Sequence, residues 1–222
     1  MATLEAIDRW RSIRRFRDEP VREEKLRAVL EAGRLAFSWE NVQPWHFIVI
    51  EQPEMKEKLA KLAAGQKQVA RAPVVIGVCG DLSAWDKPKN REALRELVEA
   101  GVVKATEEAL NAILDDPIFG VANNGPAMIL ARTFEQLGIA YAFMGLEAVH
   151  QGLGMCVVGA LSNEATGSAK EKYVDVKAAL GIPDHMYLVA LLTLGVPAET
   201  PEPRPRKPFE AVVSRGTMGK RF

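Results

Sequence analysis

Two cysteines in 222 residues leave little scope for thiol chemistry. Cys79 and Cys156 lie in the apolar runs VVIGVCG and GMCVVGA. They make neither a Cys-x-x-Cys pair nor a disulfide framework, and read as buried, reduced thiols of a cytoplasmic protein. The three histidines, His46, His150 and His185, stand far apart without metal-ligand spacing, so no metal site is expected. Neither sign of charge is in excess. The 29 Lys and Arg balance 29 Asp and Glu, which removes the basic footprint of a nucleic-acid binder. No run of about 18 apolar residues predicts a membrane span. The N-terminal MATLEAIDRW has acids where an export signal has an apolar core. There is no P-loop and no Gly-x-Ser-x-Gly nucleophile motif. GLGMCV has two glycines of a dinucleotide fingerprint but precedes a strand, where that motif should follow one. Any enzyme chemistry would fall to a cofactor, with no catalytic side chain to nominate.

What is present alternates between helix and strand patterns. Leu4, Ile7 and Trp10 are spaced by three, a short helix running into RWRSIRRF. REEKLRAVLEAGRLAF places Leu26, Val29, Leu30 and Gly33 on a helix with its acids early. WHFIVIEQ reads as a strand, and PEMKEKLAKLAAGQ as a helix opened by Pro53 and closed by Gly65. APVVIGVCG is a strand buried on both faces. MCVVGAL and MYLVALLTLG are two more, with a short helix in VKAALGIPDHM between them. Residues 86–122 are charged and helical, a peripheral excursion suited to a lid. From Pro126 to Gln151 a helix is apolar nearly all round (Met128, Phe134, Ile139, Phe143, Leu146), which predicts enclosure on most sides, as the central helix or in a subunit interface. Gly138 and Gly145 would admit a close neighbour there. With no repeat and no boundary, residues 1–222 read as one α+β domain.

Three polar stretches stand out. RWRSIRRF crowds Arg9, Arg11, Arg14 and Arg15 into eight positions. Arg11, Ser12 and Arg14 could grip a phosphate, or the stretch could be a solvated helix end. SWENVQPWHF offers Ser38, Asn41 and Gln43 just before a strand. Their amides could read a flat heterocycle, or simply serve a turn. RPRKP brings Arg204, Arg206 and Lys207 into a second basic group, or into a solvated tail.

In this order the stretches resemble the FMN-dependent nitroreductase family. That family opens with Arg-Arg-Ser-x-Arg-x-Phe after a first helix, and this chain has Trp10-Arg11-Ser12-Ile13-Arg14-Arg15-Phe16. The family's Pro-Ser-x-x-Asn-x-Gln-Pro-Trp is Phe37-Ser38-Trp39-Glu40-Asn41-Val42-Gln43-Pro44-Trp45 here. CVVGAL, LGIPDHMYLVALLTLGVP and RPRKPFEAVV resemble the closing elements. Two positions depart from the pattern: Trp10 replaces an arginine, and Phe37 a proline. The resemblance implies a nitroreductase-like α+β fold with a central mixed sheet flanked by helices, in an interlocked homodimer. It implies FMN, its phosphate held by Arg11, Ser12, Arg14, Arg206 and Lys207. Ser38, Asn41, Gln43 and Lys67 would contact the ring, and the backbone N–H groups of Val158 and Gly159 would face its reactive nitrogen. It also implies NADH or NADPH as donor, ping-pong kinetics, and a small electron-poor aromatic acceptor such as a nitroaromatic or quinone. Residues 86–122 contain no tyrosine, since the chain's three are Tyr141, Tyr173 and Tyr187. A dehalogenating member of the family fastens its amino-acid acceptor with a Glu, a Tyr and a Lys of this excursion, so the resemblance implies a weak grip on amino-acid acceptors here.

Overall fold

A computed structural model describes residues 3–167 and 170–222, so the first two residues of the N-terminal stretch lie outside it. Helices and strands follow one another in chain order. They are α1 (Glu5–Arg9), α2 (Glu23–Arg34), β1 (Trp45–Ile50), α3 (Pro53–Leu62), α4 (Lys67–Arg71), β2 (Val74–Asp81), α5 (Lys87–Glu99), α6 (Glu107–Asp115), α7 (Pro126–His150), β3 (Gly154–Val158), α8 (Lys170–Ala179) and β4 (Met186–Gly195). The expected helices and strands are all present among them, with α4 as an addition. Among the described residues, no helix is long and apolar enough to cross a membrane.

The sheet has the order β1-β2-β4-β3. β2 is buried along nearly its whole length, as its unbroken apolar run predicted. Its side chains alternate between two cores. Val75 and Cys79 face Leu59, Leu62, Val69, Tyr173 and Val176 of α3, α4 and α8. Val74, Ile76 and Val78 face Leu26, Val29, Leu137 and Met144 of α2 and α7. Helices thus cover both faces. Gly33 brings α2 onto α7: a Cβ there would lie 2.8 Å from the Met144 sulfur.

The expected mixed sheet is corrected in one respect. Every neighbouring pair of the four strands is antiparallel. Helices between strands suggest parallel crossovers, but α3 and α4 fold back on each other and return the chain to the end it left. Ile50, the last residue of β1, therefore pairs with Val75 near the start of β2. Among the described residues, parallel pairing survives only as an isolated bridge between Ser12 and Met155.

For α7, one chain supplies only part of the expected enclosure. Within one chain it is buried along a single face, by Thr133, Gln136, Leu137, Ala140, Met144, Gly145 and Ala148. Met128 and Phe143 on other faces are exposed. Gly145 does admit a close neighbour, since a Cβ there would lie 2.8 Å from the Trp10 ring, whereas Gly138 meets only Tyr141 of its own helix. Trp10, which stands where the resemblance expects an arginine, is thus a packing residue between α1 and α7.

Residues 86–122 form a helical hairpin with a small core of its own, Leu94, Leu110 and Leu114. Arg95 on α5 pairs with Glu107 on α6 at 3.0 Å, and Lys87 with Asp115 at 2.6 Å.

Candidate functional site

The arginine stretch is not a helix end. α1 stops at Arg9, and the chain then runs extended beside the sheet edge. The Ile13 N–H donates to the Met155 carbonyl at 3.1 Å, and Arg17 N–H to the Val196 carbonyl at 2.9 Å. Glu199, from the chain after β4, closes the other side. Its Oε1 accepts the backbone N–H groups of Arg14 at 2.6 Å and Arg15 at 3.0 Å, and its Oε2 accepts Arg15 Nε at 2.8 Å. Burial alone would push this carboxyl up, but those donors outweigh it and hold it below the usual carboxylate range. Glu199 thereby takes Arg15 out of contention and leaves Arg14 turned to solvent.

Among the described residues, Arg9, Arg15, Arg17, Arg34, Arg95 and Arg132 each have a carboxylate partner. Arg11, Arg14, Arg204, Arg206 and Lys207 have none. Arg14 only reaches the Ser12 carbonyl, at 3.3 Å. Arg11 is partly committed, because its Nη1 donates to the Asp8 and Trp10 carbonyls at 2.8 Å and so caps α1. Burial pushes the Cys156 thiol on β3 up, against the opposing charges of Arg14 and Arg204 and the Ser12 side chain, with the Glu199 charge adding to burial. Sequence reasoning grouped Arg204 with the basic tail but passed it over as a site residue. Arg206 donates only to the Arg204 and Pro205 carbonyls of its own segment, at 3.4 and 3.2 Å. It and Lys207 are exposed, and neither contacts the Ser12–Arg14 group.

The second stretch is a strained turn. Glu40, Asn41 and Gln43 have φ values of 49°, 59° and 44°, in the left-handed region that side chains other than Asn and Asp seldom adopt. The strain is held by specific bonds. Ser38 Oγ accepts the Gln43 N–H at 3.0 Å, and Gln43 Nε2 donates to the Asn41 carbonyl at 3.3 Å. Gln136 of α7 accepts the Trp39 N–H at 2.8 Å, and Asn90 of α5 donates to Glu40 Oε2 at 2.9 Å. Val42 packs with Trp85 and Val121. Ser38, Asn41 and Gln43 are therefore gathered in one turn, fixed to both α7 and the helical hairpin. Glu40 and Asn90 were not foreseen; the signal was one acid in an otherwise neutral turn.

Val158 ends β3, buried, and Gly159 follows it, exposed. A Cβ built on Gly159 would touch nothing within 4 Å, so this backbone is open to a ligand. Gly159 lies three residues beyond Cys156, about 10 Å along an extended chain. Ser162 N–H ties the following loop to the Leu62 carbonyl at 3.2 Å. Lys67 begins α4, exposed and without an ion-pair partner among the described residues. The thiols match expectation: both are buried and free, and burial pushes Cys79 up to about 12. Among the described residues no cluster of His, Cys, Asp and Glu could hold a metal ion.

The sequence profile of the Nitroreductase family matches residues 7–196. A Thermus thermophilus protein named NADH dehydrogenase is 35% identical over 219 residues, spanning 96% of this chain and 98% of its own. A Bacillus subtilis protein named FMN reductase (NAD(P)H) is 30% identical over 209 residues, spanning 94% of this chain and 71% of its own. In three dimensions, the crystal structure of a nitroreductase-like protein from Streptococcus mutans superposes with a TM-score of 0.78, covering 96% of this chain and 97% of that one at 22% identity, a likeness of fold. A profile match that runs from α1 past the end of β4, over both polar stretches that build the site, places this chain in the nitroreductase family.

Proposed function

We propose that the chain is an FMN-dependent oxidoreductase that takes electrons from NADH or NADPH and passes them to flat, electron-poor acceptors such as nitroaromatics and quinones. The observation that carries the reading is the arginine segment itself, which is fixed along β3 by the Ile13 to Met155 bond and by Glu199 and leaves Arg14 exposed, with no carboxylate partner for its guanidinium among the described residues. A dianionic monophosphate suits such unpaired guanidinium groups. The names of the relatives, an FMN reductase and a NADH dehydrogenase, point the same way.

The residues fit the cofactor. Arg11, Ser12 and Arg14 would hold its phosphate, with Arg204, Arg206 and Lys207 of the tail. Ser38, Asn41 and Gln43 would meet the ring, with Lys67 as a further candidate. The N–H groups of Val158 and Gly159 would stabilise negative charge there without reorganising. When bound, FMN would supply the two-electron redox chemistry that no side chain here can supply. The protein's part is to bind, orient and exclude water. One open face would serve donor and acceptor in turn, which gives ping-pong kinetics.

In the same reading residues 1–222 are one catalytic domain, and 86–122 its lid. The exposed Met128 and Phe143 of α7, and Phe37 edge-on to Phe143 at 5.9 Å, support a homodimer built on this helix. The buried, unpaired thiols support a cytoplasmic location. The test is the absorbance spectrum of the purified protein, followed by steady-state kinetics with NADH or NADPH and a quinone. A yellow protein and parallel double-reciprocal lines are expected. A protein that stays colourless with added FMN overturns the reading, and intersecting lines overturn the shared face.

A further inference from the structure

Asn90 is 1% exposed, and its Nδ2 donates to Glu40 Oε2 at 2.9 Å. This bond joins α5 to the turn that carries Asn41 and Gln43. The remaining oxygen of each partner, Glu40 Oε1 and Asn90 Oδ1, is buried with no hydrogen-bond partner. Both are acceptors as long as Glu40 is a carboxylate, and two buried orphan acceptors in one pair is an unfavourable arrangement. A single proton on Glu40 resolves it. A carboxylic acid offers one donor and one acceptor, as the amide does, so the two groups can exchange two bonds.

The surroundings favour that proton. Burial pushes the Glu40 carboxyl up and outweighs the opposing bond from Asn90. The charged groups on the elements around it include Arg132 and Glu135 of α7 and Lys87, Lys89, Arg91, Glu92 and Arg95 of α5, of which Lys89 pairs with Asp81 at 3.4 Å and Arg95 with Glu92 and Glu107. Arg132 stacks on Trp39 at 4.6 Å and pairs with Glu135 at 2.8 Å. Lys87 pairs with Asp115 at 2.6 Å, and the charge of Arg91 acts on Glu107 and Asp115 of α6. Among the described residues Glu40 has no ion pair, and Arg91 Nε, next to Asn90 in sequence, is a buried donor without a partner.

We propose that Glu40 is held as a neutral acid in a reciprocal pair with Asn90, and is the positioning residue that latches the helical hairpin to the turn bearing Asn41 and Gln43. The pairing stands on the geometry alone; only its effect on a bound flavin rests on the proposed function. A carboxyl whose folded pKa is raised stabilises at low pH and loses that contribution as pH rises through the folded value. The latch therefore holds in acid and loosens upward.

The test is hydrogen exchange of residues 87–99 in the full-length protein, followed upward in pH from the ~4.3 of a solvated glutamate and corrected for intrinsic exchange. The wild type should lose protection by about tenfold across the transition. Glu40→Gln keeps both a donor and an acceptor without titrating, and its protection should stay flat. A flat wild type, or an equal loss in Glu40→Gln, overturns the proposal. Infrared spectra of the wild type need no variant. A protonated-carboxyl band persisting above the ~4.3 of a solvated glutamate is expected, and its absence overturns the latch. Flavin absorbance in the same samples separates the two readings. A colourless protein with pH-dependent exchange overturns the flavin and keeps the latch, and a yellow one with flat exchange does the reverse.

Discussion

Gly154, the first residue of β3, is pressed against Ile13: a Cβ built on it would lie 2.7 Å from Ile13 Cγ1 and 2.8 Å from Ile13 Cβ. Ile13 sits between Ser12 and Arg14, so this contact sets the height of the arginine segment over the sheet. Gly154→Ala should destabilise the fold by about 1–3 kcal/mol through overpacking and weaken FMN binding. Thermal unfolding and flavin titration check both. Gly154→Ala and Ile13→Ala combined should cost less than the sum of the two alone, because the added methyl occupies the space that Ile13 Cγ1 and Cγ2 leave.

Glu199 organises the other side of that segment. Glu199→Gln should lose charge-assisted bonds to Arg14 and Arg15 and about 1–3 kcal/mol of stability at neutral pH. The carboxyl is held below its usual range, so its contribution is complete above the unfolded value near pH ~4.3 and fades as pH falls through the lower folded one. Stability measured in acid should therefore fall more steeply for the wild type than for Glu199→Gln.

Arg14→Ala should weaken FMN by about 10- to 150-fold, the loss of one charge-assisted contact. Arg11→Ala should cost both affinity and the cap of α1, since its Nη1 already holds two carbonyls there. Fluorescence titration of the apoprotein with FMN measures the first, and helicity by circular dichroism the second. Unchanged affinity in both variants would remove the clamp.

The hairpin's root depends on one buried bond. Trp85 Nε1 donates to Thr133 Oγ1 at 2.8 Å, and the Thr133 hydroxyl donates to the Ile129 carbonyl at 2.7 Å. Thr133→Val keeps the shape but strands the indole N–H, for a loss of about 1–3 kcal/mol. Chemical denaturation with an unchanged slope and a lower midpoint is the expected result.

Phe143→Asp places a charge on the exposed side of α7. Light scattering of the wild type should give twice the chain mass of 24.4 kDa, and the variant should shift toward one chain. A wild type that scatters as a single chain at micromolar concentration would remove the homodimer.

The sequence by itself determined the α+β class, the four strands and most helices, because apolar periodicity is local and β2 or α7 could hardly be anything else. It also carried the two polar elements whose spacing marks the family. Other features belong to tertiary structure. The antiparallel pairing of β1 with β2 follows from the way α3 and α4 return the chain, which no strand sequence encodes. α7 looked enclosed because its composition is apolar all round, but only the fold shows which face the chain itself covers. Arg11, Arg14 and Arg15 are chemically alike in the sequence. They differ in the structure because Glu199, 184 residues from Arg15, and the end of α1 claim two of them. The Glu40–Asn90 pair spans 50 residues. Its meaning rests on burial and on which acceptors find donors, and folding alone settles those.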